Sequence, residues 1–279
     1  MTYRAIFVHA DDTEPCARRL AVAARLARKY PAELLGAYLV PSTWVTPYAS
    51  TVMGPEGMQQ WIRHAAELKA AAEAKLRAAA AAAGVAELAW EVPSGDPVEA
   101  AVTCSRYADL TVIGQPPREE PTAEFSAQIA NAVVMSSGRP VLFVPSVGEY
   151  ETVGDRVLIA WKDSRESARA VADALPLLKD AKEVSAVAIT PAVDESAHSR
   201  FTDAQIAAFL RRHNVEAKVQ RIVAPDIDAG ELLLSHAADF GADLIVMGAY
   251  SRPRLTELVW GGVTRLMLTS MSVPVLMAH

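Results

Sequence analysis

Cysteine is nearly missing from this chain: Cys16 and Cys104 are the two in 279 residues. Two thiols cannot build a disulfide framework or a cysteine-rich zinc module. Both read as small buried hydrophobes. Long apolar runs are also missing, since no segment approaches the roughly 18 uninterrupted residues of a membrane span. The alanine run at 78–83 is bounded by Arg77 and Gly84 and reads as helix. The opening residues Met1 to Asp12 carry no basic stretch followed by a long apolar core, so no signal peptide is expected. A cytoplasmic protein without a membrane partner is the expectation. Positive charge is not in excess either: 27 Lys and Arg stand against 33 Asp and Glu, a net charge of −6. That balance argues against nucleic acid as a partner, which needs a positive field. Hydrophobic residues at 51% and charged residues at 22% describe a folded chain rather than a disordered one.

Familiar catalytic signatures are absent as well. There is no Gly-x4-Gly-Lys-(Ser/Thr) loop and no Gly-x-Ser-x-Gly elbow. None of the six histidines pairs with another at helical i, i+4 spacing. His9 ends the first strand pattern and reads as a packed or cleft-lining histidine. No metal site and no catalytic residue is predicted.

What is present is a repeat. Residues 108–114 read Ala-Asp-Leu-Thr-Val-Ile-Gly and residues 242–248 read Ala-Asp-Leu-Ile-Val-Met-Gly, 134 positions apart. The same offset carries Pro140-Val141-Leu142 onto Pro274-Val275-Leu276. Upstream, Arg4-Ala5-Ile6-Phe7-Val8 resembles Arg156-Val157-Leu158-Ile159-Ala160 at an offset of 152. The first half therefore holds about 18 extra residues, placed around Val40–Gly57. Two related halves follow, near 1–147 and 154–279, with a linker opening at Pro145-Ser146-Val147-Gly148.

Each half alternates short β-branched apolar runs with helical patterns. In the second half the strands are expected at Val157–Trp161, Val184–Ile189, Ala217–Val223, Leu244–Met247 and Val273–Met277. Helices are expected at Ala168–Leu178, Thr202–Arg212, Ala229–Phe240 and Arg254–Thr269. In the first half, Trp61, Ala65, Leu68, Ala72 and Leu76 form one stripe at 3–4 spacing, predicting a helix over Gln60–Ala83. Glu67, Lys69, Glu73 and Lys75 lie off it and read as solvated. Runs without alternation, such as Leu244-Ile245-Val246-Met247, suit strands covered on both faces. The fold class is α/β: two tandem Rossmann-like doubly wound domains. Each is expected to be a five-stranded parallel sheet of order 3-2-1-4-5 with four flanking helices.

Ligands of such sheets bind beyond the carboxyl ends of the strands, where strand order reverses. In the second half that point lies between Trp161-Lys162-Asp163-Ser164 and Gly248-Ala249-Tyr250-Ser251. Arg252-Pro253-Arg254 follows, then Gly261-Gly262-Val263-Thr264. Glycines beside basic residues and a helix start suit a phosphate. The same glycines also suit a tight helix–sheet contact, and Arg252 and Arg254 also suit a solvated loop.

The repeat, the element order and this turn together resemble a tandem universal stress protein over essentially the whole chain. The resemblance implies a Gly-x2-Gly-x9-Gly-(Ser/Thr) nucleotide-binding turn. Here Gly248, Ser251, Gly261 and Gly262 hold its spacing, with Ser251 and Gly262 departing from it. Thr264 is the nearest hydroxyl. The family's strand-1 acid falls on Lys162, beside Asp163, which weakens any claim for magnesium. The adenine would meet backbone near Val187, Ala188 and Ile189. In the first half Gly114 and Asp11 match. Pro117 and Ala127-Gln128 do not, and Pro116-Pro117 removes two donors. Glu119 and Glu120 would repel phosphate. That half is not expected to bind ATP in the family manner. Its extra segment, with Trp44, Tyr48 and Met53, reads as a surface flap or a pocket cover.

The resemblance implies a non-enzymatic stress-response protein that binds an adenine nucleotide, ATP or AMP, in its second half. An interaction module with both pockets degenerate is the alternative, and a weak ATPase ranks below it. An apolar ligand in the first half rests on the aromatic residues of the extra segment alone. The two halves are expected to pair as an internal pseudo-dimer through Val141–Val144 and Val275–Met277, with a homodimer as a further partner state.

Overall fold

The computed structural model describes residues 2–39, 47–117, 123–190, 197–224, 227–250 and 262–279, without the side chains at 47–53 and 197–201. Trp44, Pro191–196, Ser251, Arg252, Arg254 and Gly261 lie outside that description, as do the side chains of Tyr48 and Met53. Two compact units divide the chain, Tyr3–Ser137 and Gly138–His279.

The first unit runs β1 (Ala5–Ala10), α1 (Cys16–Lys29), β2 (Glu33–Tyr38), α2 (Pro47–Ala83), β3 (Leu88–Glu91), α3 (Pro97–Arg106), β4 (Leu110–Gly114) and α4 (Ala123–Ser136). Its strands lie in the order β3-β2-β1-β4, all parallel. β1 and β4 are apolar runs buried on both faces, with Ile6, Val8, Leu110 and Val112 fully covered. In α2 the backbone breaks at Gly54, where φ is 63°, and Pro55 restarts the helix. Of the predicted stripe, Ala72 and Leu76 are buried, whereas Trp61, Ala65 and Leu68 are half-buried. Leu76 lies where a Cβ on Gly36 would stand, so the helix sits directly on β2. Lys75 does not simply face solvent. Its Nζ donates to the carbonyls of Asp12 (2.9 Å) and Thr13 (3.3 Å), tying α2 to the loop after β1.

The second unit continues with β5 (Val141–Val144), β6 (Arg156–Ala160), α5 (Arg165–Asp173), α6 (Leu175–Asp180), β7 (Glu183–Thr190), α7 (Ala197–Arg212), β8 (Ala217–Val223), α8 (Ala229–Phe240), β9 (Leu244–Gly248), α9 (Gly262–Ser270) and β10 (Val275–Ala278). The order β10-β9-β6-β7-β8 is the expected 5-4-1-2-3, parallel throughout. β5 adds a sixth strand, antiparallel to β10, with Phe143 facing Val275 and Val141 facing Met277. The pairing expected of these two segments is therefore present. β5, the fifth strand of the first repeat, thus pairs with the fifth strand of the second.

The expected single helix at 168–178 is two. Pro176 stands in the first turn of α6, and Ala174 caps both helices. Proline has no N–H to continue the ladder and is tolerated in a first turn. α8 matches its expected bounds because both ends are built locally. Asp228 accepts from the backbone N–H of Gly230 (2.8 Å), and Gly241 takes a left-handed φ of 65°.

Strand pairing corrects the upstream repeat offset. Ile6 faces Leu110 while Val157 faces Leu244, so strand 1 of the two halves is offset by 151 rather than 152. Asp11 and Lys162 are thus true equivalents. The register also explains the shared Ala-Asp-Leu. Asp109 accepts from the backbone N–H groups of Arg4 (2.7 Å) and Ala5 (3.1 Å). Asp243 accepts from those of Gly154 (3.1 Å), Asp155 (3.1 Å) and Arg156 (2.9 Å). In each half the aspartate before strand 4 pins the start of strand 1.

Candidate functional site

In the second unit, strand order reverses between β6 and β9, and four short segments meet at their carboxyl ends. β6 runs into Trp161, whose backbone N–H donates to the carbonyl of Val187 (2.8 Å). Lys162 and Asp163 follow and are exposed. Ser164 then caps α5, accepting from the N–H of Ser167 (3.3 Å). At the end of β9, Gly248 packs against α5. A Cβ on residue 248 would stand 2.5 Å from the Ser167 nitrogen and 2.7 Å from the Glu166 carbonyl carbon. Gly248 is thus the condition for the helix N-terminus to lie beside β9.

β7 outruns its neighbour here. Its last partner on β6 is Val187, opposite Ala160, yet it continues to Thr190 against β8. Neighbouring residues of a strand turn their N–H and C=O to opposite sides. The carbonyl of Val187 faces β6, so the N–H and C=O of Ile189 face the same side, beyond the last residue that β6 pairs. Ala188, whose backbone faces β8, sits opposite Arg221. Among the three predicted backbone positions, Val187 is spent on Trp161, and Ile189 lies beyond the last residue of β7 that pairs with β6.

At the end of the described part of the turn after β9, Tyr250 is left-handed, at φ 58°, a conformation that costs roughly 1–2 kcal/mol for a side-chain-bearing residue. Its N–H lies 3.5 Å from the hydroxyl of Thr264, which is 4% exposed. That hydroxyl is therefore turned toward the β9 turn rather than presented to solvent. Gly262 begins α9 and is exposed, and Val263 is half-buried beside it. The indole Nε1 of Trp161 is buried without a hydrogen-bond partner among the described residues. No described group of three His, Cys, Asp or Glu side chains stands close enough to hold a metal ion.

Sequence reading missed Arg165, Glu166 and His279. Arg165 Nε donates to Glu166 Oε1 (2.7 Å), and its Nη2 lies 3.1 Å from His279 Nε2. His279 Nδ1 lies 3.0 Å from the carbonyl of Ala249. A carbonyl only accepts, so Nδ1 carries the proton and Nε2 accepts from the arginine. Burial opposes ionisation of Glu166, but its bonds to Arg165, backbone and Ser164 hold the carboxyl below its ordinary value. No motif marks these residues. Their signal was the position of Arg165-Glu166 at the helix start after strand 1.

The equivalent place in the first unit is filled from within. β1 and β2 pair to their last residues, Ala10 and Tyr38, leaving no overhang. Arg19, 4% exposed, reaches over Gly114 and leaves no room for a Cβ there. Its Nε donates to the carbonyl of His9 (2.6 Å) and its Nη2 to Asp11 Oδ2 (2.8 Å). Asp11 Oδ1 also accepts from the N–H (3.1 Å) and hydroxyl (2.5 Å) of Thr13. Burial opposes the charge on Asp11, yet Arg19, His9 and these bonds hold its carboxyl far below the usual range. Burial drives His9 down to about 4 despite the nearby Asp11 carboxylate, so its imidazole is neutral; its Nε2 has no partner among the described residues. Burial, with Asp12 and Asp11 nearby, pushes Tyr38 up to about 12. Gln128 lies on α4 and is exposed.

Comparison with known proteins accords with this architecture. The chain matches a universal stress protein from Archaeoglobus fulgidus at 18% identity and a TM-score of 0.73, over 98% of this chain and 95% of that one. A functionally unknown protein from Pseudomonas aeruginosa matches at 14% identity and a TM-score of 0.60, over 99% of this chain and 92% of that one. At these identities the likeness is one of fold. No curated protein sequence matches significantly. The model of the universal stress protein family matches twice, over residues 2–145 and 154–279. Twice matched along nearly its whole length, the chain belongs to the universal stress protein family as a tandem member.

Proposed function

We propose that this protein binds an adenine nucleotide, ATP or AMP, at the carboxyl ends of β6, β7 and β9, and acts as a binding regulator rather than an enzyme. The overhang of β7 carries the reading. Ile189 offers an N–H donor and a C=O acceptor on one open edge at the point of strand reversal, which is what the edge of an adenine ring requires. Lys162, exposed at the end of β6, supplies positive charge nearby. The first half has no such overhang and is filled by Arg19, so one nucleotide per chain is expected. Family membership supports a stress-response role in the cytoplasm. The β5–β10 pair supports reading the chain as an internal pseudo-dimer.

The test is mass spectrometry of small molecules released on denaturation, followed by calorimetry with ATP and AMP. One equivalent of adenine nucleotide, or binding at a stoichiometry near one, supports the reading. No released nucleotide and no heat at millimolar ATP overturns it.

A second reading is a protein-interaction module that binds no nucleotide. It is favoured by the Thr264 hydroxyl facing the Tyr250 N–H and by Lys162 in the place of an acid. The same null calorimetry would select it.

A further inference from the structure

Arg165 opens α5, which begins just beyond the carboxyl end of β6, and the next two residues, Glu166 and Ser167, pack against Gly248 at the end of β9. Glu166, 7% exposed, holds the Nε side of the guanidinium at 2.7 Å. His279 holds Nη2 at 3.1 Å and is itself anchored on the carbonyl of Ala249 at 3.0 Å. Glu166 on α5 and His279, the residue after β10, therefore converge on one planar cation.

An isolated exposed ion pair would not order an arginine, since such pairs contribute about 0–1 kcal/mol. This arginine is held at two points, and one holder is nearly buried. The second holder is a neutral acceptor, which orients the guanidinium without neutralising it. A guanidinium has five N–H donors in a fixed fork. Among the described residues the two bonds use Nε and one hydrogen of Nη2, which leaves the Nη1 edge for a further acceptor. The side chain is 75% exposed. A pre-oriented, partly used guanidinium is suited to a phosphate oxygen, because little side-chain freedom remains to be lost on binding.

We infer that Arg165, oriented by Glu166 and His279, recognises the phosphate of the bound nucleotide and gives the site its preference for nucleotide over nucleoside. This inference rests on the nucleotide reading above and assigns its phosphate contact. Glu166 and His279 are positioning residues.

The experiment is calorimetry of the full chain with two probes, ATP and adenosine. The proteins are the wild type, Arg165→Met, Arg165→Lys, His279→Ala and, as a control on the same helix, Arg169→Met. Arg169 is paired with Asp173 and the carbonyl of Gly138, away from the site. Arg165→Met is expected to weaken ATP binding about tenfold and leave adenosine within twofold. Arg165→Lys should recover part of that loss. His279→Ala should weaken ATP about threefold by releasing the guanidinium, and Arg169→Met should change neither probe. Equal ATP affinity in wild type and Arg165→Met overturns the inference while leaving the nucleotide reading intact. Parallel losses for ATP and adenosine overturn it as well, since they mark Arg165 as structural. A wild type that binds neither probe overturns both. Melting curves of each variant show that it is folded before titration.

Discussion

Arg19 and Gly114 are packed so closely that no side chain fits on residue 114: the guanidinium lies where a Cβ would stand. In the second half the equivalent glycine, Gly248, is covered by the backbone of Glu166 and Ser167 instead. One glycine therefore serves two arrangements. In the first half a buried cation, paired with Asp11, closes the strand-reversal point. In the second half a helix N-terminus is drawn alongside it.

The Asp11–Arg19 pair makes the first half sensitive to truncation. Asp11→Ala leaves a buried guanidinium without its carboxylate and should cost about 3–5 kcal/mol. Replacing both, as Asp11→Ala with Arg19→Met, should cost less than Asp11→Ala alone. Chemical denaturation of the four proteins measures the difference. Nucleotide affinity of the second half should be unchanged in Asp11→Ala at temperatures where it is folded.

His9 predicts a pH dependence of definite sign. Its folded-state value of about 4 lies below the ordinary 6.5, so the unfolded chain binds the proton first as pH falls. Stability should fall from pH 7 toward pH 4 by about 3 kcal/mol from this group. His9→Leu should flatten that slope. The depressed Asp11 adds a further loss lower down, because its stabilisation is present above the unfolded carboxyl value near 3.9 and disappears as pH falls through the folded one. Denaturation midpoints at pH 7, 5.5 and 4.5 for wild type and His9→Leu test the histidine part. Parallel curves would refute it.

Asp243 pins the start of β6 through three backbone N–H groups, and Asp109 pins β1 through two. Hydrogen bonds to a charged group contribute about 1.5–3 kcal/mol each, less when partly solvated. Asp243→Ala is expected to destabilise by about 2–4 kcal/mol and Asp109→Ala by somewhat less. Both effects should appear in thermal melts.

Gly248→Ala places a methyl 2.5 Å from a backbone nitrogen, so α5 must shift. Overpacking of this kind costs about 1–3 kcal/mol. If the nucleotide binds at the carboxyl ends of β6, β7 and β9, ATP affinity should also fall at least tenfold. Lys162→Glu separates the two effects. It is an exposed change that should leave the melting temperature within about 2 °C yet weaken ATP binding several-fold. Unchanged ATP affinity in Lys162→Glu would remove that lysine from the site.

The doubly wound order was legible in the sequence because strand and helix impose different periods on apolar residues. Buried runs such as Leu110–Ile113 and Leu244–Met247 have no alternation, and the intervening stripes return every three to four residues. The repeat was legible for the same reason: equal strands need equal side chains. The place of Gly248 at the end of strand 4 followed from the repeat spacing, whereas that of Lys162 at the end of strand 1 came from the family resemblance. That strand 1 is offset by 151, that Arg19 would reach over Gly114 and that Arg165 would be held by Glu166 and His279 were decided only in three dimensions. Each depends on partners far apart in the chain, such as Arg165 and His279 or Asp243 and Gly154. Local propensity records what a residue prefers for its own backbone. It carries no record of which distant carbonyl or carboxylate packing will bring within hydrogen-bonding reach.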